Sequence, residues 1–175
     1  MPPRLVRWLA CLVLATVACG CEVDLATQQE KATSGSDLKE ARVLRVVDGD
    51  TIIVLLDGRE ERLRYIGIDA PESVAPDRPV ECFGPEATKE NERLVGGRTV
   101  YLEADSEERD RFGRLLRYVY VEEPGDRLTM VNEQLVIGGF AEAGSYPPNE
   151  RYSDSLFAAE REASARDTGL WGSCP

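Results

Sequence analysis

The stretch TIIVLLDGREERLRYIGI, Thr51 to Ile68, decides the fold. Two runs rich in apolar and β-branched residues flank Asp57-Gly58, a pair that accepts the positive φ angles of a tight hairpin turn. Upstream, ARVLRVV (Ala41 to Val47) is a third run of the same kind, set off by Asp48-Gly49-Asp50. Three consecutive antiparallel strands follow. Downstream, Pro85 to Val95 predicts a helix. Proline sits in its first turn, Ala87, Asn91, Leu94 and Val95 share a face, and Gly96-Gly97 stop it. RTVYLEAD and LLRYVYVE then add two strands around the loop SEERDRFGR. Met130 to Ile137 predicts a short helix ending at Gly138-Gly139. Ser153 to Asp167 predicts a longer one, with Ser153 or Asp154 as N-cap and Gly169 as C-cap. Five strands with interspersed helices imply an α+β class: an OB-fold-like five-stranded β-barrel with three α-helices, not a parallel sheet with crossover helices.

The whole chain has 175 residues, enough for one domain with a sizeable core. Its formal charge of −11 argues against a generic basic coat for nucleic acid. A bound polyanion must therefore be held by local positive charge or by a metal. Histidine is absent. That excludes Ser-His-Asp and Cys-His catalysis, histidine-ligated zinc and the usual general base at neutral pH. Chemistry is left to carboxylates, arginines, hydroxyls, thiols or an oxygen-liking metal.

The N-terminus reads as an export signal. Arg4 and Arg7 precede WLACLVLATVA, an apolar run too short to span a bilayer but suited to a signal-peptide core. Small residues then lead to Cys19 and Cys21, as in a bacterial lipobox, with plain secretory cleavage as the other reading. Cys21 is the simpler lipid acceptor, because it leaves Cys82 and Cys174 as one pair in an oxidising compartment; Cys19 would leave an odd thiol. A Cys82–Cys174 disulfide would stabilise the domain by ~4 kcal/mol in the chain-entropy picture. Residues 1–20 are thus read as a signal peptide of the lipoprotein type, 21–40 as a flexible tether, and 41–175 as the folded domain. The expected location is outside the cytoplasm, membrane-anchored or secreted.

The charged residues cluster at strand ends. Asp48 and Asp50 flank one glycine in DGDT, and the third strand runs into Asp69-Ala70-Pro71-Glu72. Pro71 takes the chain out of the sheet and leaves backbone carbonyls unpaired. Aspartates with a free carbonyl are oxygen ligands for a hard cation such as Ca²⁺. Clustered acids without a cation would raise one another's pKa. Arg64 and Asp69 are five apart, so a regular strand puts them on opposite faces. For both to serve one site, an irregularity must intervene, and Gly67 is the place for it. Alone, Arg64 reads as a solvated arginine. Arg114, after the glycine of DRFGR, adds a second guanidinium, and two such forks can clamp one phosphoryl group.

Taken together, VVDGDT, LRYIGIDAPE, FGPEAT, DRFGRLLRYVY, VNEQLVIGGFAE, YPPN and GLWG resemble the staphylococcal (thermonuclease-like) nuclease family, in order and over Ala41 to Gly172. The resemblance implies a Ca²⁺-dependent enzyme hydrolysing DNA and RNA, single strands preferred, by attack at phosphorus that breaks the bond to O5′ and leaves 3′-phosphate ends. It implies Asp50, Asp69 and the Ala70 carbonyl as calcium ligands, with Asp48 beside them. Arg64 and Arg114 would grip the phosphate, and Glu72 would orient or deprotonate water. Arg111, Phe112 and Tyr146 fall at the substrate rim. The chain departs from the family there: Phe112 replaces a tyrosine, and Gly144 stands where an aromatic is usual. A monomer is expected. The competing reading is a barrel lipoprotein that binds nucleic acid or protein without cutting.

Overall fold

The computed structural model describes residues 38–73 and 79–175. The expected export signal, both candidate lipidation cysteines (Cys19 and Cys21) and most of the expected tether lie outside the described residues. Strand β1 (Lys39–Asp48) already contains Lys39 and Glu40, the last residues of that tether, paired with Leu102 and Tyr101. β2 (Thr51–Leu56) and β3 (Arg59–Tyr65) form the hairpin read from the sequence, in the register Leu56↔Arg59. Asp57 and Gly58 have φ of 51° and 76°, so both turn residues use the left-handed region that Asp-Gly tolerates.

β5 (Thr99–Glu103) pairs antiparallel with β1 and with β6 (Leu115–Glu123). The sheet closes through a short parallel pairing of β3 with β6, in which Leu63, Arg64 and Tyr65 face Leu115, Leu116 and Arg117. The result is a closed five-stranded barrel, as expected. β1 serves two neighbours because register shifts at Leu44 and Val47 bend it. Three strands were not foreseen. β4 (Ile68–Asp69) and β8 (Glu142–Ala143) form a separate two-stranded ladder, and β7 (Arg127–Met130) extends β6 as a hairpin.

The helices are α1 (Gly84–Val95), α2 (Val131–Ile137) and α3 (Ser153–Ala165), followed by a single turn, α4 (Leu170–Ser173). The C-cap of α3 is Arg166, not Gly169, which instead precedes α4 as its N-cap with φ 60°. Gly169 lies against Gly139, and the Leu170 N–H donates to the Gly139 carbonyl at 2.9 Å. Close backbone approach, rather than capping of α3, explains that glycine.

Alternation along the strands points Val43, Ile52, Val54, Leu63, Tyr65, Val100, Leu102 and Val119 into the barrel, where Val95, Leu135 and Leu156 from the three helices meet them. Buried Asn91 and Glu103 are paired. The Tyr65 hydroxyl donates to Asn91 Oδ1 at 2.9 Å, and Asn91 Nδ2 donates to the Asp48 carbonyl at 2.9 Å, so α1 holds the turn between β1 and β2. Glu103 is buried yet accepts from Tyr120, Tyr152 and Arg151, which joins α3 to β5 and β6.

The irregularity expected at Gly67 is present. Between β3 and β4 the chain turns at Ile66-Gly67, with φ +76° at Gly67, and a Cβ there would stand 2.5 Å from Leu156 Cδ1. Gly67→Ala is expected to cost ~2 kcal/mol, from the left-handed conformation and the contact with Leu156. A fall in the urea midpoint at unchanged slope would show it; an unchanged midpoint would refute it.

Candidate active site

The turn at Gly67 changes the facing of the chain, so Arg64 and Asp69 meet despite their odd spacing. Arg64 Nη2 lies 2.5 Å from Asp69 Oδ1, and Nη1 pairs with Asp50 Oδ1. One guanidinium therefore bridges two carboxylates from different elements: Asp50 from the β1–β2 turn and Asp69 from the end of β4. Asp50 is almost wholly buried, with 1% of its surface exposed. Its Oδ2 accepts the Ala70 N–H at 2.7 Å, and Oδ1 also accepts the Thr51 hydroxyl at 3.1 Å. Asp48 Oδ1 accepts the Asp50 N–H at 3.1 Å, so the two acids sit side by side.

Close packing sets this up. A Cβ at Gly49 would fall 2.5 Å from the Ala70 Cβ and 2.9 Å from that of Ala87, so the acidic turn rests directly on the β4 exit and on α1. Burial pushes the Asp50 carboxyl up to about 8; Arg64 and the Ala70 N–H oppose this, while Asp48 adds to it. Burial works against the Arg64 charge, but Asp50 and Asp69 outweigh it and hold the guanidinium above its usual range. The position demands positive charge, and Arg64 supplies it.

Asp48, Arg64, Asp69, Ala70, Glu72 and Glu81 line a small recess of about 130 Å³. The donor chemistry suits a hard cation: oxygen ligands, with the bridging guanidinium marking where positive charge is wanted. Among the described residues no three or more acids or thiols are grouped closely enough to hold a metal by themselves. The residues fit such an ion.

A wider cleft of about 1040 Å³ opens beside the recess, lined by Arg64, Asp69, Glu72, Arg114, Phe112 and Tyr146 among others. Arg114 comes from the loop before β6, where its Nε donates to Asp110 Oδ2 at 2.6 Å. Asp110 also accepts the Phe112 and Arg114 N–H groups at 2.9 Å each, which folds the loop around its carboxylate. Burial raises the Asp110 pKa, but these donors prevail and hold it below the usual carboxylate range. The exposed ring of Phe112 lies under both Arg111 and Arg114, whose guanidinium carbons are 4.7 and 5.6 Å from its centroid. At Gly144, the position lacking the expected aromatic, a Cβ would run into the Tyr146 ring. Tyr146 covers that ground itself.

The structure thus gathers Asp48, Asp69, Ala70, Arg64 and Glu72 at the recess, with buried Asp50 against Arg64, and Arg111, Phe112, Arg114 and Tyr146 along the cleft. Cys82 and Cys174 are joined, with Cα atoms 5.8 Å apart. Sequence reasoning missed two residues. Asp110, four before Arg114, could have been found from its spacing in a loop, since an aspartate at a turn start caps its own following amides. Glu81 carried no such pattern. Its carboxylate accepts the Glu72 N–H at 2.8 Å across nine residues.

Comparison with known proteins identifies the family. A family model described as staphylococcal nuclease homologue matches residues 62–173. The thermonuclease of Staphylococcus hyicus is 39% identical over 138 residues, 79% of each chain. That of Staphylococcus intermedius is 41% identical over 129 residues, 74% of each. Endonuclease YncB of Bacillus subtilis is 36% identical over 128 residues, which cover 73% of this chain and 59% of that one. With the barrel, the order of its elements and matches of this extent in agreement, the chain belongs to the staphylococcal nuclease family.

Proposed function

We propose that this protein is an exported, calcium-dependent nuclease that hydrolyses phosphodiester bonds of DNA, RNA or both. The observation that carries the reading is the convergence of Arg64, Arg114 and Glu72 on one cleft beside the Asp50–Asp69 pair. The thermonuclease names of the relatives support it. Asp50, Asp69 and the Ala70 carbonyl would hold Ca²⁺, with Asp48 behind Asp50. Calcium, when bound, supplies Lewis-acid polarisation of a phosphoryl oxygen and neutralises charge.

The protein's own residues do the rest. Arg64 and Arg114 present planar forks from two sides of the cleft, and their donors match the charge that builds on the equatorial oxygens. Asp110 fixes the angle of the Arg114 fork. Glu72 orients the water that attacks phosphorus, or takes its proton; the bond to O5′ breaks and the 3′-phosphate remains. Single strands suit the site, because unstacked bases can lie against Phe112 and Tyr146. The proposed setting is extracytoplasmic, with a lipid on Cys21 or Cys19 as the only tie to a membrane, and a monomer as the working unit. Among the described residues no helix is long and apolar enough to cross a membrane.

The test is to incubate the purified protein with denatured DNA in calcium or in chelator. Degradation in calcium and none in chelator is expected, with product 3′ ends that a phosphatase must clear before a polymerase can extend them. DNA retained but uncut in both conditions would favour the barrel that only binds.

A further inference from the structure

Glu72 is held by a residue that the proposed chemistry leaves out. The Glu81 N–H donates to the Glu72 carbonyl at 2.8 Å, and Glu81 Oε2 accepts the Glu72 N–H at 2.8 Å. Both peptide groups of Glu72 are therefore gripped by one side chain and its own amide. The Glu72 carboxylate in turn accepts the following Ser73 N–H at 3.1 Å, which ties it to this stretch of backbone. From the other side α1 presses close: a Cβ at Gly84 would stand 2.5 Å from the Glu72 carbonyl oxygen.

Glu81 is itself fixed from its C-terminal side. The next residue, Cys82, is bonded to Cys174 just past α4, and Phe83 stacks on Phe140 with centroids 5.5 Å apart. α4 is anchored in turn through the bond from Leu170 to Gly139. Glu81 also shares the small recess with Asp48, Asp69 and Glu72. Like charges gathered there repel, so stability alone does not favour an acid at this position. A hydrogen-bond acceptor aimed at the Glu72 amide accounts for it.

We propose that Glu81 is the positioning residue for Glu72, and that the Cys82–Cys174 disulfide holds Glu81 in place for it. The consequence for activity rests on the reading of Glu72 as the residue that handles water. Misplacing such a group by about an ångström costs up to ~100-fold in rate. Glu81→Ala is therefore expected to lower kcat on denatured DNA by roughly 10- to 100-fold with KM unchanged. Glu81→Gln, whose amide oxygen can accept the same N–H, should recover most of the loss. The Cys82→Ser/Cys174→Ser variant should lose kcat as well, and adding Glu81→Ala to it should cost less than the two losses multiplied, because both act through one contact.

Hydrogen exchange at the Glu72 amide, measured on the same full-length variants, gives a readout independent of activity. It should quicken in Glu81→Ala and in the disulfide-free variant, and stay slow in Glu81→Gln. Equal kcat losses in the alanine and glutamine variants, a loss in KM alone, or unaltered exchange at Glu72 would each overturn the proposal. An inactive wild-type protein would instead overturn the nuclease reading, and the exchange experiment would still decide whether the clamp exists.

Discussion

An Arg64→Ala variant is expected to cleave denatured DNA about 1,000-fold more slowly in saturating calcium, while binding calcium at least as tightly as the parent. The size follows from the part assigned to the guanidinium. Removing a single donor aimed at charge that develops in a transition state costs about 100- to 1,000-fold, and Arg64 presents a fork rather than a single donor. The second half follows from where Arg64 sits. It bridges Asp50 and Asp69, the carboxylates proposed to hold the ion, so guanidinium and calcium compete for the same negative charge. Without Arg64 the buried Asp50 has lost its counter-charge, and the calcium-free variant should melt lower than the parent. Added calcium should restore more of that loss than it adds to the parent. Kinetics, calorimetric titration and melting curves check the three parts. If rate and calcium affinity fall together, Arg64 serves to assemble the site and does not act on the phosphate.

Asn132→Ala is expected to have the largest effect on stability, about 3–5 kcal/mol. Asn132 lies in α2 and is wholly buried. Its Oδ1 accepts the Val119 N–H at 2.9 Å, and its Nδ2 donates to the Ile66 carbonyl at 2.8 Å. Alanine leaves both backbone groups without this partner inside the protein and opens a space beside them. Each orphaned group costs about 1–3 kcal/mol. Ile66 belongs to the turn that brings Asp69 round to Arg64, so the lesion reaches the site as well. A fall in melting temperature of about 10 °C or more is expected for a domain of this size. A shift of only a degree or two would show that water or a rearranged backbone satisfies the two groups.

Much of this was legible in the sequence because the informative contacts are local. Asp57-Gly58 announced the hairpin, and the five-residue spacing of Arg64 and Asp69 required a break that φ at Gly67 supplies. Cysteine parity gave the pair that the structure joins. What escaped was non-local. Nothing in the β3 or β6 runs says that they pair in parallel, since either could have remained an edge. The β4–β8 ladder has too few residues to leave a periodic trace. The bridging of Asp50 and Asp69 by Arg64 needs the depth of Asp50, and a turn-like DGDT would more often lie in solvent. Gly144, where the resemblance leads one to expect an aromatic, is the space into which Tyr146 leans.

The parallel pairing that closes the barrel has a consequence for assembly. Arg64 lies in one strand of that pairing, and Arg114 directly precedes the other, where Leu63 meets Leu115. The two guanidinium groups are supplied from opposite margins of a single seam. Drawing those margins together is a long-range event, with the entropy of a large loop set against a few ladder bonds. A chain with its hairpins formed but the seam open would contain most of the secondary structure and none of the proposed phosphate clamp. On the proposed reading, competence to cut would wait for that seam to close.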